Sequence, residues 1–185
     1  MSETEHLTHP GTLQRQRLIE AVVDEFEQPL LRYAARILRN NGTLAHDVVQ
    51  NVFVKLFRQW KPSQRANDAL LRPWLFHVAH NEAVDVIRAE ERRKGAHKRA
   101  VGADPCVRPN ARERAPTDDE RREMVFACLG ILTLEERQAV LLRLQQGMSY
   151  DEIAAVMRRP RGSVGAILHV AVKKLADELR RKGEV

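Results

Sequence analysis

Apolar residues recur at steps of three and four positions through the first half of the chain, which is the spacing of amphipathic α-helices. A first helix is predicted over residues 13–39, where an Asn-Asn-Gly sequence stops it. Thr43 is a suitable N-cap for a second helix, which continues to about residue 60 and is broken by Lys-Pro-Ser. A polar loop over residues 64–69 then precedes a third long helix over residues 70–94.

The apolar pattern disappears between residues 95 and 116, a segment with three Pro and many Arg that we interpret as a flexible basic linker. The pattern then returns, and a Thr or Ser stands three positions before a Glu, the signature of a capping box, at Thr117–Glu120, Thr133–Glu136 and Ser149–Glu152. No stretch alternates with the period of a strand. The prediction is an all-α chain of two helical domains, residues 12–94 and 117–182, joined by the linker of residues 95–116.

The charge of the chain favours a polyanionic partner. Its net charge is +6 and its pI is about 9.7, and the basic residues concentrate in segments 88–114 and 158–185. Nucleic acid, an anionic membrane surface and two solvated surfaces are all compatible with this pattern, and we favour nucleic acid. No apolar run has the length of a membrane span and no signal peptide opens the chain, so we expect a cytoplasmic protein without membrane insertion.

Neither a metal site nor an enzyme active site is expected. Cys106 and Cys128 have no metal-ligand spacing and are too few for a disulfide framework. His77 and His80 stand three positions apart, but no Cys or carboxylate completes a metal-ligand set. The chain also lacks a Gly-rich phosphate loop and a nucleophile motif, so we expect no cofactor and no enzymatic activity.

The segment after residue 149 has the layout of a DNA-binding helix-turn-helix. A short capped helix over residues 150–157 is followed by a turn of about four residues and a longer helix over residues 161–174. Many helical hairpins share this pattern, so on its own it leaves DNA binding open. The surrounding sequence is more specific.

The chain resembles the extracytoplasmic-function (ECF) sigma factors of bacterial RNA polymerase over roughly residues 18–179. The resemblance to region two and region four of that family is carried by AHDVVQNVFVK (45–55), RPWLFHVAHNEAVDVIR (72–88), LEERQAVLL (134–142), GMSYDEIA (147–154) and GSV (162–164). Both sets of motifs occur in the order of the family, with the linker where the family has one. The resemblance implies an alternative sigma factor whose partners are core RNA polymerase, promoter DNA and an anti-sigma factor.

The resemblance also implies three contact surfaces. The helix around residues 47–55 is expected to dock on the polymerase through its polar exposed positions, Asp47, Gln50, Asn51 and Lys55. The helix of residues 72–93 is expected to hold the melted minus-ten element through His77, Asn81, Arg88, Arg92 and Arg93, because Asn can pair with a base edge and Arg can bind phosphates. The alternative for these residues is a solvated helix face, with Arg88 paired to Asp85. We expect Trp74, Phe53 and Phe57 to lie in the core.

The helix-turn-helix is expected to read the minus-thirty-five duplex through Arg158, Arg159, Arg161, Ser163, His169 and Lys173. The chain departs from the family here, because positions where the family carries groove-facing cations hold Gly165, Ile167 and Val170. We therefore expect the recognition helix to grip DNA from its start and not along its length. The departure also leaves an alternative open, a sigma mimic that sequesters an anti-sigma factor without binding DNA.

Overall fold

The computed structural model describes residues 10–59, 68–95 and 117–183, and every regular element in these ranges is helical. The all-α fold class is therefore confirmed. The α-helices are α1 Pro10–Ile37, α2 Gly42–Gln59, α3 Asp68–Gly95, α4 Asp118–Ala127, α5 Leu134–Val140, α6 Tyr150–Met157 and α7 Arg161–Lys182. A short 3-10 helix, Leu129–Ile131, follows α4, and a π-helical turn, Leu141–Gln145, continues α5.

Helices α1 to α3 form the first unit around a hydrophobic core. Leu30, Val52 and Leu75 are completely buried there, and the ring of Tyr33 meets the ring of Phe76 edge-on with 5.3 Å between centroids. Trp74 is half-buried and packs against this core, as expected.

The ends of these helices differ from the sequence-based bounds. The N-cap of α2 is Asn41 and not Thr43, because the Asn41 side-chain oxygen accepts a hydrogen bond from the backbone N–H of Leu44 at 3.2 Å. Ala69 belongs to α3 and not to a loop, and Gly95 ends α3 and does not open the linker. The rest of the predicted linker, residues 96–116, and most of the predicted loop lie outside the described residues.

The second unit is built on local capping signals. All three predicted capping boxes are present; in one of them, the Thr133 backbone N–H donates to Glu136 Oε2 at 2.9 Å. Gly147 has a φ of 64°, a conformation that glycine adopts without the cost that other residues carry. It follows the helical segment that begins with α5 and precedes the N-cap of α6.

The two units pack directly on each other. Helix α3 lies against α6, and α1 lies near α5. The buried guanidinium of Arg137 donates to the carbonyl of Leu129 in its own unit at 3.2 Å and to the carbonyl of Ile37 in the other unit at 3.3 Å. The hydrophobic cores of the two units are therefore continuous, so the linker is not the only connection between them.

Candidate nucleic-acid and polymerase interfaces

The middle of α3 lies at the interface between the two units, where it packs against α6; we call this interface the seam. The Nδ1 atom of His77 is 2.7 Å from the carbonyl oxygen of Val156 on α6, and its Nε2 atom is 3.0 Å from the side-chain nitrogen of Asn81. A carbonyl oxygen can only accept, so Nδ1 carries the proton and, in the neutral ring, Nε2 accepts from Asn81. Asn81 is exposed, whereas His77 is half-buried and is not a free member of a polar helix face, which corrects the expectation for it.

A second contact ties the same helix to α6. The guanidinium of Arg72 lies 3.3 Å from the carboxylate of Glu152 and also donates to the carbonyl of Gln146. The pKa of Glu152 lies below its ordinary value, chiefly because its carboxylate accepts from the Ser149 backbone N–H and also because Arg72 is near. Glu152 therefore caps α6 and holds Arg72 at the same time.

The ring of His80 is half-buried and faces the core of the first unit. Its Nδ1 atom is 3.2 Å from the hydroxyl of the fully buried Tyr33. Burial, reinforced by the neighbouring His77, lowers the pKa of His80 to about 4. Burial also raises the pKa of Tyr33.

The last turns of α3 carry the exposed cations Arg88, Arg92 and Arg93. Arg88 lies 3.6 Å from Asp85, and the two side chains are 70% and 73% exposed. Such exposed pairs contribute roughly 0–1 kcal/mol, so this one leaves Arg88 available to another anion. Both interpretations of Arg88 from sequence, ion pairing and DNA contact, are thus compatible with its geometry.

The outer surface of α2 presents Asp47, Gln50 and Asn51 to solvent. Lys55 points elsewhere, because it forms an ion pair with Glu82 of α3. Two apolar side chains that the sequence analysis did not assign to this surface are exposed, Val54 at 40% and Phe57 at 58%. The expectation that Phe57 lies in the core is wrong: its ring lies on the surface beneath the guanidinium of Arg15, 5.0 Å from the ring centroid.

The turn of the helix-turn-helix is rich in arginine. Arg158 has a φ of 51°, a left-handed conformation that is costly for a residue with a side chain. Arg159 pairs with Glu135 at 3.0 Å, and the guanidinium of Arg161 lies 3.7 Å from Asp151. All three arginines are exposed, so the ion pairs of Arg159 and Arg161 are loose enough to exchange for phosphates.

Helix α7 buries one face and exposes the opposite one. Its buried residues are Val164, Leu168, Ala171, Leu175 and Leu179. With 3.6 residues per turn, the residues opposite to these are Gly162, Ser163, Ala166, His169, Val170 and Lys173, all of them exposed.

Two of the three departures from the family do not lie on this outward face. A Cβ atom at Gly165 would lie 3.7 Å from the ring of Tyr150, so this position faces α6. Ile167 is partly buried against the core. Val170 is 45% exposed and is the one that faces outward.

Lys174, next to the predicted contact Lys173, is held within the protein. Its ammonium lies 2.7 Å from the Glu136 carboxylate. Partial burial opposes ionisation of Glu136, but the hydrogen bonds from Lys174 and Thr133 prevail and hold its pKa below the ordinary value. Within the described ranges, no three His, Cys, Asp or Glu residues are grouped as a metal site would require. No helix among the described residues has the length and apolarity needed to cross a membrane.

Two family models match the chain in the order of its two units. Sigma-70 region 2 matches residues 22–93, and Sigma-70, region 4 matches residues 122–175. The ECF RNA polymerase sigma factor SigL of Mycobacterium tuberculosis is 31% identical over 173 residues, which cover 90% of this chain and 91% of that protein. The chain belongs to the ECF sigma factor family.

Other comparisons agree with this assignment. The ECF RNA polymerase sigma-E factor of Escherichia coli is 32% identical over 125 residues, covering 64% of each protein. Among solved structures, the sigma factor RpoE in complex with the anti-sigma factor NepR from Bartonella quintana has a TM-score of 0.63, with 19% identity, covering 87% of this chain and 96% of that one. CnrH in complex with the cytosolic domain of CnrY has a TM-score of 0.61, with 24% identity, covering 90% of each chain. At these identities, the two structures confirm the fold.

In this ECF sigma factor, the two helices of the helix-turn-helix lie close to the positions that the sequence predicted. The contacts between the two units were not predicted. No contact between Arg72 and Glu152 was expected, although their ion pair joins the units. Their motifs lie 80 residues apart, and nothing local in either motif indicates the other. The seam is thus a property of the tertiary structure.

Proposed function

We propose that this chain is an alternative sigma factor that directs core RNA polymerase to specific promoters and initiates transcription there. The observation that carries the proposal is the presence in one ECF sigma chain of two separate basic surfaces, the end of α3 and the turn before α7. Each stands on the unit that matches a different sigma region. Because the family consists of transcription initiation factors, we expect neither an enzymatic activity nor a cofactor, and we place the protein in the cytoplasm with its polymerase.

In the first unit, α3 is proposed to hold the melted minus-ten element. Asn81 is exposed and carries both a donor and an acceptor, which suits the edge of an unpaired base. Arg88, Arg92 and Arg93 follow on the exposed last turns of the helix and suit the phosphates. His77 can join them only after its bond to Val156 is broken.

On α2, the exposed residues Asp47, Gln50 and Asn51 are proposed to dock on the polymerase. Val54 is one helical turn beyond Gln50 and Asn51 on the same face, so the surface has an apolar centre with polar edges. This composition is typical of a specific protein interface. Lys55 is a weaker candidate because it is paired with Glu82.

In the second unit, the helix-turn-helix is proposed to read the minus-thirty-five duplex. The three arginines of the turn stand at the start of α7, where backbone N–H groups also favour phosphate. Ser163, His169 and Lys173 lie on the outward face of α7, so the proposed contact extends along the groove beyond the start of the helix, to which the sequence-based expectation had limited it. The exposure of this whole face supports the proposal.

The two DNA-binding surfaces cannot act while the units remain in the described arrangement. Helices α3 and α6 touch at 2.7 Å between His77 and Val156. Promoter elements centred about 25 base pairs apart are separated by roughly 80 Å of duplex, since one turn of about 10 base pairs spans about 34 Å. Promoter binding therefore requires that the seam opens, and the described arrangement is an inactive, closed form.

The sigma-mimic alternative is not favoured. The relative that matches 90% of the chain is itself named a sigma factor, and a mimic would need neither the arginines at the end of α3 nor those before α7. An anti-sigma factor remains a proposed partner, since one structural neighbour, the sigma factor RpoE, is in complex with the anti-sigma factor NepR.

The proposed function is tested by promoter-dependent transcription with purified core polymerase. Core polymerase alone and core polymerase with this chain are compared on a pool of randomised promoters, and transcripts are sequenced. We expect transcripts from a defined subset that share two sequence elements. A chain that binds core polymerase without starting specific transcripts would overturn the proposal.

A further inference from the structure

The outward face of α7 has an apolar centre. Ala166 and Val170 stand one turn apart on this face, and Val170 is 45% exposed. Ser163 lies on one side of the pair, and His169 and Lys173 lie on the other. The order along the face is therefore polar, apolar, polar.

The core of the second unit does not explain these two residues. The buried face of α7 is complete with Val164, Leu168, Ala171 and Leu175, and neither Ala166 nor Val170 packs against it. Single exposed apolar residues are common on protein surfaces. This pair differs from them because it stands in the middle of the face that a helix-turn-helix places in the major groove.

The edges of the bases offer one apolar group in the major groove, the methyl group of thymine. A valine or alanine at the centre of a recognition helix can bury this methyl, whereas a cation there would bind phosphate or guanine. One helical turn advances 5.4 Å, about one and a half base steps of 3.4 Å. Two residues one turn apart can thus contact methyl groups on neighbouring base pairs.

We infer that Ala166 and Val170 give this sigma factor a thymine-specific contact in the centre of its minus-thirty-five element. The contact recognises one or two neighbouring thymines by their methyl groups. These thymines lie between the base pairs contacted by the arginines before α7 and the base pairs near Lys173. This inference rests on the proposed function, because it assumes that α7 lies in the major groove of a promoter duplex.

The test removes the methyl group alone. The holoenzyme first selects its upstream element from a duplex pool with a randomised segment, and each thymine of the selected element is then replaced singly by deoxyuridine. Burial of one methyl group changes affinity by about fourfold. We expect a loss of about three- to fivefold at one or two neighbouring positions, and no change at the others.

Protein variants assign the effect to the helix. In the Val170→Ser holoenzyme, the difference between thymine and deoxyuridine should fall below about twofold at the sensitive position, because the methyl group loses its apolar partner. Ala166→Ser should do the same at the neighbouring position. Lys173→Ala is the matched control: it should weaken binding to all duplexes alike and leave the preference for thymine intact.

The outcomes separate this inference from the proposed function. Specific binding without any thymine that is sensitive to deoxyuridine, or a selected element without thymine at its centre, would overturn the inference and leave the proposed function standing. The same holds if the sensitivity persists in both Val170→Ser and Ala166→Ser. A holoenzyme that selects no element at all would overturn both, and would assign the apolar centre of α7 to a protein partner.

Discussion

The imidazole of His77 hydrogen bonds to the backbone carbonyl of Val156, which lies 79 residues further along the chain, with 2.7 Å between the two atoms. This bond joins the helix proposed to hold melted DNA to the first helix of the helix-turn-helix. Arg72 reinforces it through Glu152 and the carbonyl of Gln146. Polar contacts, which DNA and polymerase can replace, therefore add to the continuous hydrophobic core that joins the two units.

Weakening this seam should open the free protein. Arg72→Gln removes the ion pair with Glu152, and we expect a larger radius of gyration in X-ray scattering together with tighter binding of the free chain to promoter DNA. Arg122→Gln is the control, because Arg122 forms an exposed ion pair within α4 and loses the same charge. An unchanged radius in Arg72→Gln would mean that the apolar packing of α3 on α6 suffices to keep the protein closed.

Asn81 is expected to act in promoter opening and not in the initial binding. Asn81→Ala should leave the affinity of the closed complex within about twofold and reduce the open fraction by about tenfold, because a flipped base loses its edge contacts. Permanganate reactivity of the unpaired thymines measures the open fraction. His169→Ala is a useful control, since it should lower duplex affinity without changing the open fraction once the promoter is saturated. Full reactivity in Asn81→Ala would contradict the assignment.

The exposed surface of α2 should determine affinity for core polymerase. Asp47→Lys is expected to raise the dissociation constant on the order of tenfold, because it reverses one charge in a specific interface. Val54→Ser should weaken binding as well, since Val54 is the apolar centre of that surface. Asp24→Lys on α1 makes the same charge reversal at an exposed position outside it. Equal affinity of Asp47→Lys and Asp24→Lys for core polymerase would show that α2 is not part of the interface.

We expect Arg158 to lower the stability of the protein and to contribute to DNA binding. Its left-handed backbone costs about 1 kcal/mol relative to glycine. Arg158→Gly should therefore raise the free energy of unfolding by up to about 1 kcal/mol and weaken binding to the minus-thirty-five duplex. Arg158→Ala should weaken DNA binding equally without the gain in stability, because alanine keeps the strain. If Arg158→Gly bound DNA as well as the natural protein, the residue would have no part in the interface.

The elements that sequence predicted well are those fixed by neighbouring residues. A capping box needs two side chains three positions apart, and the boxes at Thr117, Thr133 and Ser149 all formed. Elements set by distant partners were missed. Lys55 is positioned by Glu82 on another helix, and the ring of Phe57 lies on the surface under the guanidinium of Arg15 of α1 and not in the core. The interface between α3 and α6 was not predicted for the same reason, because these two helices are far apart in the sequence.

The stability of the protein should fall between pH 7 and pH 5 because of His80. In the unfolded chain this imidazole has its ordinary pKa of 6.5, whereas burial against Tyr33, with His77 nearby, lowers it to about 4 in the folded protein. The unfolded state thus binds more protons than the folded state between these two values. The stabilisation from a neutral His80 is complete above pH 6.5 and is lost as the pH falls towards 4. Between pH 7 and pH 5 the loss is about 2 kcal/mol.

Urea unfolding at pH 7 and at pH 5 measures this loss of stability. His80→Gln should flatten this dependence, while His169→Gln, at an exposed position, should keep it. A dependence that is equally steep in His80→Gln would show that another group titrates in this range.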